Sequence, residues 1–416
     1  MDEPLLVYFN ETLTGKLWLD ENRTYHFRYD PEWLRDPHSI PLSVSLPLQD
    51  KTMSGDAVRF FFANILPEGS VRDRIAAKLG LSTKNIFGLL RELGGDCAGA
   101  ISLYPEGALL SERQKAYRKL SALELEKIAA DLPKRPLLAG EDGLRLSLAG
   151  AQDKLPLRFD GKSFYLPAGG APSTHILKPS IPHLKRTVFN EAFCMALARA
   201  SGLPAPLCTV LNLGSNHALL VARYDRLVDH EEIRRVHQED FCQALGQSPE
   251  IKYEAEGGPG LKDCSDLLRR HSASPARDLM LLLRWTLFNV LLGNADAHAK
   301  NLSLLYDQGK APRLAPFYDL ISTLMYQELS RKMAMKIGGE NRPEWLMNRH
   351  WCRMARELDL KPKFVLDELG LFCQAVREAV DPALEGFAEH SSAHAFLDKL
   401  AGAVKDRTER NMKEIN

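Results

Sequence analysis

Between Leu279 and Gly293 the chain runs LMLLLRWTLFNVLLG, and directly behind it, from Asn294 to Asn301, comes NADAHAKN. The first stretch demands burial. With 15 residues, Arg284 and Asn289 among them, it is too short and too polar to span a bilayer, so it predicts an apolar helix inside a globular core. The second stretch must then sit against that core while carrying Asn294, Asp296, His298, Lys300 and Asn301. One unpartnered buried polar group costs roughly 2–7 kcal/mol. So dense a cluster in such a place is either a solvated loop or a site.

Composition narrows the classes. A chain of 416 residues, 45% hydrophobic and 26% charged, holds enough apolar material for two or three domains. Lys and Arg number 54, as do Asp and Glu, so the net charge is zero and a nucleic-acid or membrane surface would need a local patch. Arg331, Lys332 and Lys336, or Arg349, Arg353 and Arg356, are candidates for one, although most such runs are solvated helix faces. The seven cysteines are odd in number, scattered and never in CxxC spacing, which argues against a disulfide framework or a structural zinc site. A reducing cytoplasm is the expected compartment, and MDEPLLVYFN lacks the basic and apolar regions of a secretory signal.

The first hundred residues begin with strand-like runs, PLLVYF, KLWL and TYHFRY, which predict a β-hairpin start. Helical periodicity follows in AVRFFFANILPEGSVRDRIAAKLG, broken by Pro67 and Gly69, and GGDCAGAISLYP leads into another strand. Residues 1–105 are therefore expected to form a small α+β module. A charged segment with an N-cap box at Ser121 and Glu124 follows, then a Pro- and Gly-rich linker near 131–143, so 106–143 is expected to separate two domains. From Leu144 the texture turns β again: RLSLAGAQDKLPLRFD, KSFYLP, THILKPS, APLCTVLNL and HALLVARYDR are strand candidates, with one helix from about Phe189 to Ser201. Beyond Asp240 the pattern is mostly helical. A sheet-bearing lobe over 144–226 and a helical lobe over 227–416 make an α+β, two-lobed plan, which puts ligands in a cleft.

Phosphoryl transfer from ATP needs a strand lysine for the phosphates, a carboxylate near the attacking hydroxyl, and an amide plus a second carboxylate for magnesium. The chain offers these in order. Lys178 ends the apolar run THILK; Asp296 and Asn301 stand as Asp-x-x-x-x-Asn, the protein-kinase catalytic-loop spacing; Asp319 follows 23 residues later in LAPFYDLIST. Asn301 and Asp319 supply the hard oxygens that magnesium favours. His298 and Lys300, lying between them, either bind a phosphate oxygen or steady the loop. Each residue alone has a bland reading, a solvated lysine or a helix-capping aspartate; their order and the buried helix before them favour catalysis.

The strings SLAGAQDK (147–154), THILKPS (174–180), NEAFC (190–194), RYDR (223–226), QEDFCQALG (238–246), KYEAEGGPG (252–260), GNADAHAKN (293–301) and PFYDLIS (316–322) resemble the HipA family of toxin kinases. NILPEG (64–69) and GGDCAGA (94–100) resemble that family's N-terminal domain, so the likeness spans nearly all the chain. It implies a serine/threonine protein kinase with a fold related to the phosphatidylinositol kinases, using ATP and Mg2+. It further implies a toxin held inactive by a HipB-like antitoxin, operator DNA reached mainly through that antitoxin, a protein substrate of the translation-related class, and no membrane.

Carried over to this chain, the resemblance makes Asp296 the catalytic base, Asn301 and Asp319 the metal ligands, and Lys178 the phosphate lysine. It casts Ala149, Gly150, Ala151, Gln152, Asp153 and Lys154 as the phosphate-side loop and Ala222, Arg223 and Tyr224 as the hinge that meets adenine. Tyr318, next to Asp319, joins the nucleotide side with His298 and Lys300. Gly150 is the sole glycine of the loop, so no GxGxxG is present. Ser147 matches the serine that family members autophosphorylate, expelling the loop. The segment before Glu191 matches an activation loop, and Glu191 either pairs with Lys178 or is favoured by the helix dipole alone.

Three other readings compete. A metal-dependent phosphohydrolase would use Asp296, His298 and Asp319, but further histidines with ligand spacing are missing. A small-molecule phosphotransferase shares the Asp-x-x-x-x-Asn chemistry, and the N-terminal module argues against it. A non-catalytic scaffold that binds antitoxin and helps repress DNA would have no need for Lys178, Asp296, Asn301 and Asp319 together.

Overall fold

The computed structural model describes residues 2–108, 115–141, 143–230, 232–307 and 311–415. Its contacts divide the chain into two units, one of Met1–Pro179, Leu211–Glu250 and Leu304–Pro312, the other of Ser180–Val210, Ile251–Ser303 and Arg313–Asn416.

The first unit opens as its alternating hydrophobicity predicts. Strands β1 (Leu5–Phe9), β2 (Thr12–Leu19) and β3 (Tyr25–Tyr29) form successive antiparallel pairs, extended by β4 (Met53–Ser54) and β5 (Ile101–Pro105) into a sheet ordered β4-β3-β2-β1-β5. Leu5 faces Leu17 and Leu17 faces Phe27 across the strands, all three fully buried. A register shift after Val7 skips Thr14, whose hydroxyl accepts the Phe9 N–H at 3.1 Å. The short helix α1 (Pro31–Arg35) is capped by Asp30. Pro67 lies in the break between α2 (Asp56–Ala63) and α3 (Gly69–Lys78), which opens on Gly69, and α4 (Ile86–Leu93) follows with Asn85 as its cap.

The segment expected to be a linker is structured where described; residues 109–114 and 142 lie outside the described residues. It holds β6 (Ala116–Leu120), an antiparallel partner of a later strand, and α5 (Ala122–Asp131) with the expected Ser121/Glu124 capping box. Residues 144–154, read as strand from their texture, are irregular backbone with only isolated bridges from Leu146 to Asp96 and from Gly150 to Pro67. Strands β7 (Leu155–Phe159), β8 (Phe164–Ala168) and β9 (His175–Pro179) follow, then α6 (Thr187–Ala200) of the second unit, then β10 (Cys208–Leu213) and β11 (Asn216–Ala222). The sheet is ordered β10-β11-β9-β7-β8-β6. One continuous core joins Leu5, Phe27, Phe61 and Leu90 to Leu155, Leu177 and Leu220, so residues on either side of 106–143 share a single compact unit. The hairpin β12 (Arg226–Asp229) and β13 (Glu232–Arg235), β14 (His237–Asp240) and α7 (Phe241–Ala244) complete this part.

In the second unit, α8 (Leu261–His271) precedes α9 (Pro275–Leu292), the predicted apolar helix. After β15 (Ser303–Tyr306), which belongs to the first unit from Leu304 on, the second unit resumes with β16 (Arg313–Leu314), α10 (Asn348–Glu357), α11 (Pro362–Glu385) and α12 (His394–Ile415). Helix α9 packs against α8, α11 and α12, burying Leu282, Trp285, Phe288 and Leu291. Its Arg284 reaches Glu368 of α11 at 2.5 Å, and Asn289 donates to the Trp285 carbonyl at 2.8 Å, so neither polar residue is stranded. Among the described residues no helix is long and apolar enough to cross a membrane. None of the seven cysteines is joined in a disulfide.

Candidate active site

Helix α9 ends at Gly293, whose left-handed backbone (φ 68°) turns its N–H back onto the helix carbonyls. Glycine is required there twice over, because a Cβ would also lie 2.6 Å from Leu324. The remaining helix-end acceptors are satisfied from elsewhere in the unit. Arg407 donates to Leu291 O (2.7 Å) and Leu292 O (2.6 Å), and the Ser322 hydroxyl also donates to Leu292 O (2.6 Å). Ser322 is in turn held by Asn190, which accepts its N–H at 2.9 Å and donates to its carbonyl at 3.0 Å.

Most of the polar run beyond Gly293 is hydrogen-bonded, the buried Nδ1 of His298 being an exception. Asn294 donates to Asn289 Oδ1 (2.8 Å) and accepts the Asp296 N–H (3.1 Å), and Ala295 N–H donates to Thr323 Oγ1 (2.7 Å). Asn301 Nδ2 donates to the Asp296 carbonyl at 3.0 Å, the His298 N–H donates to the same oxygen at 3.0 Å, and the Asn301 N–H reaches His298 O at 2.9 Å. The Asp-x-x-x-x-Asn spacing is thus a closed loop pinned on one carbonyl. Asn294, His298, Lys300 and Asn301 are buried, whereas the Asp296 side chain is 53% exposed. Its Oδ1 accepts the Tyr253 hydroxyl at 2.6 Å and lies 3.8 Å from His298 Nε2, and the Tyr253 and His298 rings meet edge to face at 5.4 Å. This carboxylate is held by Tyr253 and otherwise about half exposed.

Tyr318 donates to the Lys300 carbonyl at 2.7 Å and shares a 2.8 Å bond with Ser303, tying the loop to the residue before Asp319. Asp319 takes φ 54°, a left-handed conformation that aspartate tolerates better than most side chains. With the Asn301 amide nitrogen spent on Asp296, its Oδ1 is the oxygen it could offer a cation, and the Asp319 carboxylate is of the same hard-oxygen type that magnesium takes. Among the described residues no group of three or more His, Cys, Asp or Glu could hold a metal, and magnesium needs none, since water and phosphate oxygens fill its remaining positions. Glu191 is the fifth residue of α6 and buried, past the first turn where the helix dipole acts.

The other predicted residues belong to the first unit. Ser147 is fully buried; its hydroxyl donates to Ile65 O (3.0 Å) and its N–H to Asp96 O (3.1 Å). Gly150 adopts φ 113°, and Lys154 Nζ closes the loop on the Ala149 carbonyl at 2.5 Å. Gln152 reaches Pro179 O at 3.4 Å, and Asp153 pairs with Arg74 at 2.6 Å. Burial raises the Asp153 carboxyl above its ordinary pKa although Arg74 pulls the other way. Lys178 is buried on β9, in register with Leu219.

Of the expected hinge, Ala222 ends β11 opposite His175, and Tyr224 hydrogen-bonds Gln238. Arg223 is committed elsewhere. Its N–H donates to Thr174 O (2.9 Å), and its guanidinium is buried against Asp225 (2.8 Å), Asp96 (3.4 Å) and Ser173 (2.9 Å). Arg226 (2.9 Å) and Arg235 (3.1 Å) converge on the same Asp96 carboxylate. Burial would push Asp96 up, yet the three arginines hold it below the ordinary carboxylate range.

Residues 146–380 match the family model of the HipA-like C-terminal domain, and residues 5–104 match that of the HipA N-terminal domain. The chain belongs to the HipA family. It is 33% identical over 391 residues to the serine/threonine-protein kinase toxin HipA of Shewanella oneidensis, covering 90% of this chain and 88% of the relative. Protein Y4mE of Sinorhizobium fredii is 42% identical over 412 residues, 96% and 97% of the two chains. Among solved structures, the Shewanella oneidensis complex of HipA, HipB and operator DNA matches with a TM-score of 0.88 at 31% identity, over 99% of this chain and 98% of that one. The mixed sheet-and-helix architecture is therefore the HipA fold, and the chain is a HipA-like member of a toxin kinase family.

Two participants were not singled out from the sequence. Tyr253 falls inside the HipA-like string KYEAEGGPG, but nothing in its spacing tied it to Asp296, 43 residues away. Arg74, at an ordinary position of α3, reaches Asp153 across 79 residues.

Proposed function

We propose that this HipA-family chain is an ATP- and magnesium-dependent serine/threonine protein kinase and the toxin of a toxin–antitoxin pair. The observation that carries the reading is the closed Asp296–Asn301 loop, which buries every neighbour and leaves the Asp296 carboxylate open. In the reaction a substrate hydroxyl oxygen bonds to the γ-phosphorus as the bond to the bridging oxygen breaks. ADP departs, and the hydroxyl proton passes to Asp296. Lys178 and the 149–154 loop steady the phosphates, the backbone of 222–224 meets adenine, and His298, Lys300 and Tyr318 keep the catalytic loop in place. Asn301 and Asp319 would hold magnesium, which neutralises phosphate charge when bound.

Ser147 is the proposed autophosphorylation site, and its burial requires the loop to leave its seat before the hydroxyl can react. The likeness to a HipA solved with HipB and operator DNA supports a HipB-like antitoxin as partner, with DNA reached through it. Intact mass of the chain incubated with ATP and magnesium tests the reading. One phosphate gained by the parent and none by Asp296→Asn is expected; a parent that turns over ATP yet never gains phosphate in itself or a protein would favour a small-molecule phosphotransferase.

A further inference from the structure

The loop that carries the proposed phosphate contacts is braced internally and gripped externally. Lys154 bonds the Ala149 carbonyl, and the room for its ammonium exists because Gly150 has no Cβ, which would lie 2.7 Å from Nζ. Residues 149–154 are thus a turn closed on itself.

Its external contacts to the N-terminal domain form a seam. Ser147 bonds Ile65 O and Asp96 O; Gly150 O accepts the Glu68 N–H at 3.1 Å beside the bridge to Pro67; Asp153 receives Arg74 at 2.6 Å. Three of these four grips end on backbone atoms of the domain, where no side chain can vary them. The fourth joins two side chains, with Arg74 34% exposed and Asp153 16% exposed, and so can be weakened without opening the core.

We infer that the N-terminal domain is the latch of the nucleotide loop, and that Arg74, acting through Asp153, is a positioning residue that sets how often the loop leaves its seat and exposes Ser147. The link to phosphorylation rests on the kinase reading above; the latch itself does not. Loosening the seam has opposite effects on two activities of one loop: it weakens ATP capture and hastens modification of Ser147. A residue that merely supports the fold would lower both.

Amide hydrogen exchange, ATP kinetics and Ser147 phosphorylation would be measured on the full chain as parent, Arg74→Ala, Arg74→Lys, Asp153→Asn and the Arg74→Ala/Asp153→Asn double variant. In Arg74→Ala, exchange at the Glu68 and Ser147 amides should quicken by about threefold to tenfold, the scale of one partly exposed charge-assisted bond. The KM for ATP should rise by a similar factor with kcat unmoved, Ser147 should be modified sooner, and thermal unfolding should stay near that of the parent. Arg74→Lys should restore part of the protection, and the double variant should open no further than either single one. Unchanged exchange in Arg74→Ala, or additive effects in the double variant, would overturn the latch. Faster exchange in Arg74→Ala than in the parent, with no phosphoryl transfer by either, would keep the latch and remove the kinase reading.

Discussion

The hydroxyl of Tyr253 donates to Asp296 Oδ1 at 2.6 Å, so one oxygen of the carboxylate is already spoken for while the side chain as a whole stays 53% exposed. That division suits a base which must present one oxygen to an incoming hydroxyl. Asp296→Asn is expected to keep the fold and ATP binding while lowering transfer by roughly 10²–10⁴-fold, the usual scale for a general base. Tyr253→Phe leaves the base but frees its orientation, and should cost about threefold to thirtyfold in kcat with little change in KM for ATP. Single-turnover transfer at the parent's rate in Asp296→Asn would remove the assignment.

Asn301 and Asp319 can be separated by what each substitution removes. Asp319→Asn keeps a side chain that tolerates left-handed backbone and deletes only the charge, so its magnesium requirement should rise without loss of stability. Asn301→Ala deletes the amide that closes the loop on Asp296, so magnesium dependence and kcat should both suffer. Magnesium titrations that superimpose on the parent for both variants would put the metal elsewhere.

Ser147→Ala removes a buried hydroxyl that bonds the Ile65 carbonyl and should cost about 1 kcal/mol in stability. During prolonged incubation with ATP and magnesium the parent should gain phosphate and lose nucleotide affinity, because about −1.5 to −2 charges arrive in the loop proposed to receive phosphates. The alanine variant should keep its affinity. Calorimetry paired with mass measurement at successive times decides between them, and a phosphorylated parent that binds ATP undiminished would exclude the loop as a switch.

A pH test falls on a buried pair in the first unit. Burial pushes Glu239 up to about 7 from 4.5, although Ser43, Tyr306 and the Val44 N–H bond it. Burial takes His237, 5.1 Å from the Tyr306 ring, down to about 4 from 6.5. Between pH 4.5 and 7 the folded Glu239 holds a proton that the unfolded chain has released, so its contribution falls as pH rises; His237 is the reverse between 4 and 6.5 and gains with pH. The two offset each other over most of that window. Glu239→Gln should therefore unmask a rise in stability with pH, steeper than the parent by up to about 1.4 kcal/mol per unit. Urea midpoints that run parallel from pH 5 to 7 would refute the pairing of these shifts.

What could be read from the chain follows a physical line. Helix α9 and strands β1 to β3 bury one face or all faces within a short window, so period and length betray them. Strand β6, AYRKL, is a polar edge whose only fully buried residue is Leu120, and it reads as loop. Residues 144–154 alternate like a strand but spend their backbone groups on Asp96, Pro67 and Glu68, far off in sequence. The spacing of Asp296 and Asn301 was visible because both ends lie on one turn. Tyr253 and Arg74 were not, because their partners are fixed only by the finished fold.

The buried Asp96 cluster has a consequence in time. As the chain leaves the ribosome, Asp96 emerges well before its counter-ions, with Arg223 and Arg226 standing 127 and 130 residues further along. Closing a core over a lone carboxylate costs several kcal/mol, so the interior around Asp96 stays open until the arginines arrive. At roughly 5–20 residues per second the wait is about 6 to 26 seconds. For that interval the N-terminal segment is exposed to chaperones and proteases, and a transcript broken before codon 226 yields a chain that cannot seal this interior.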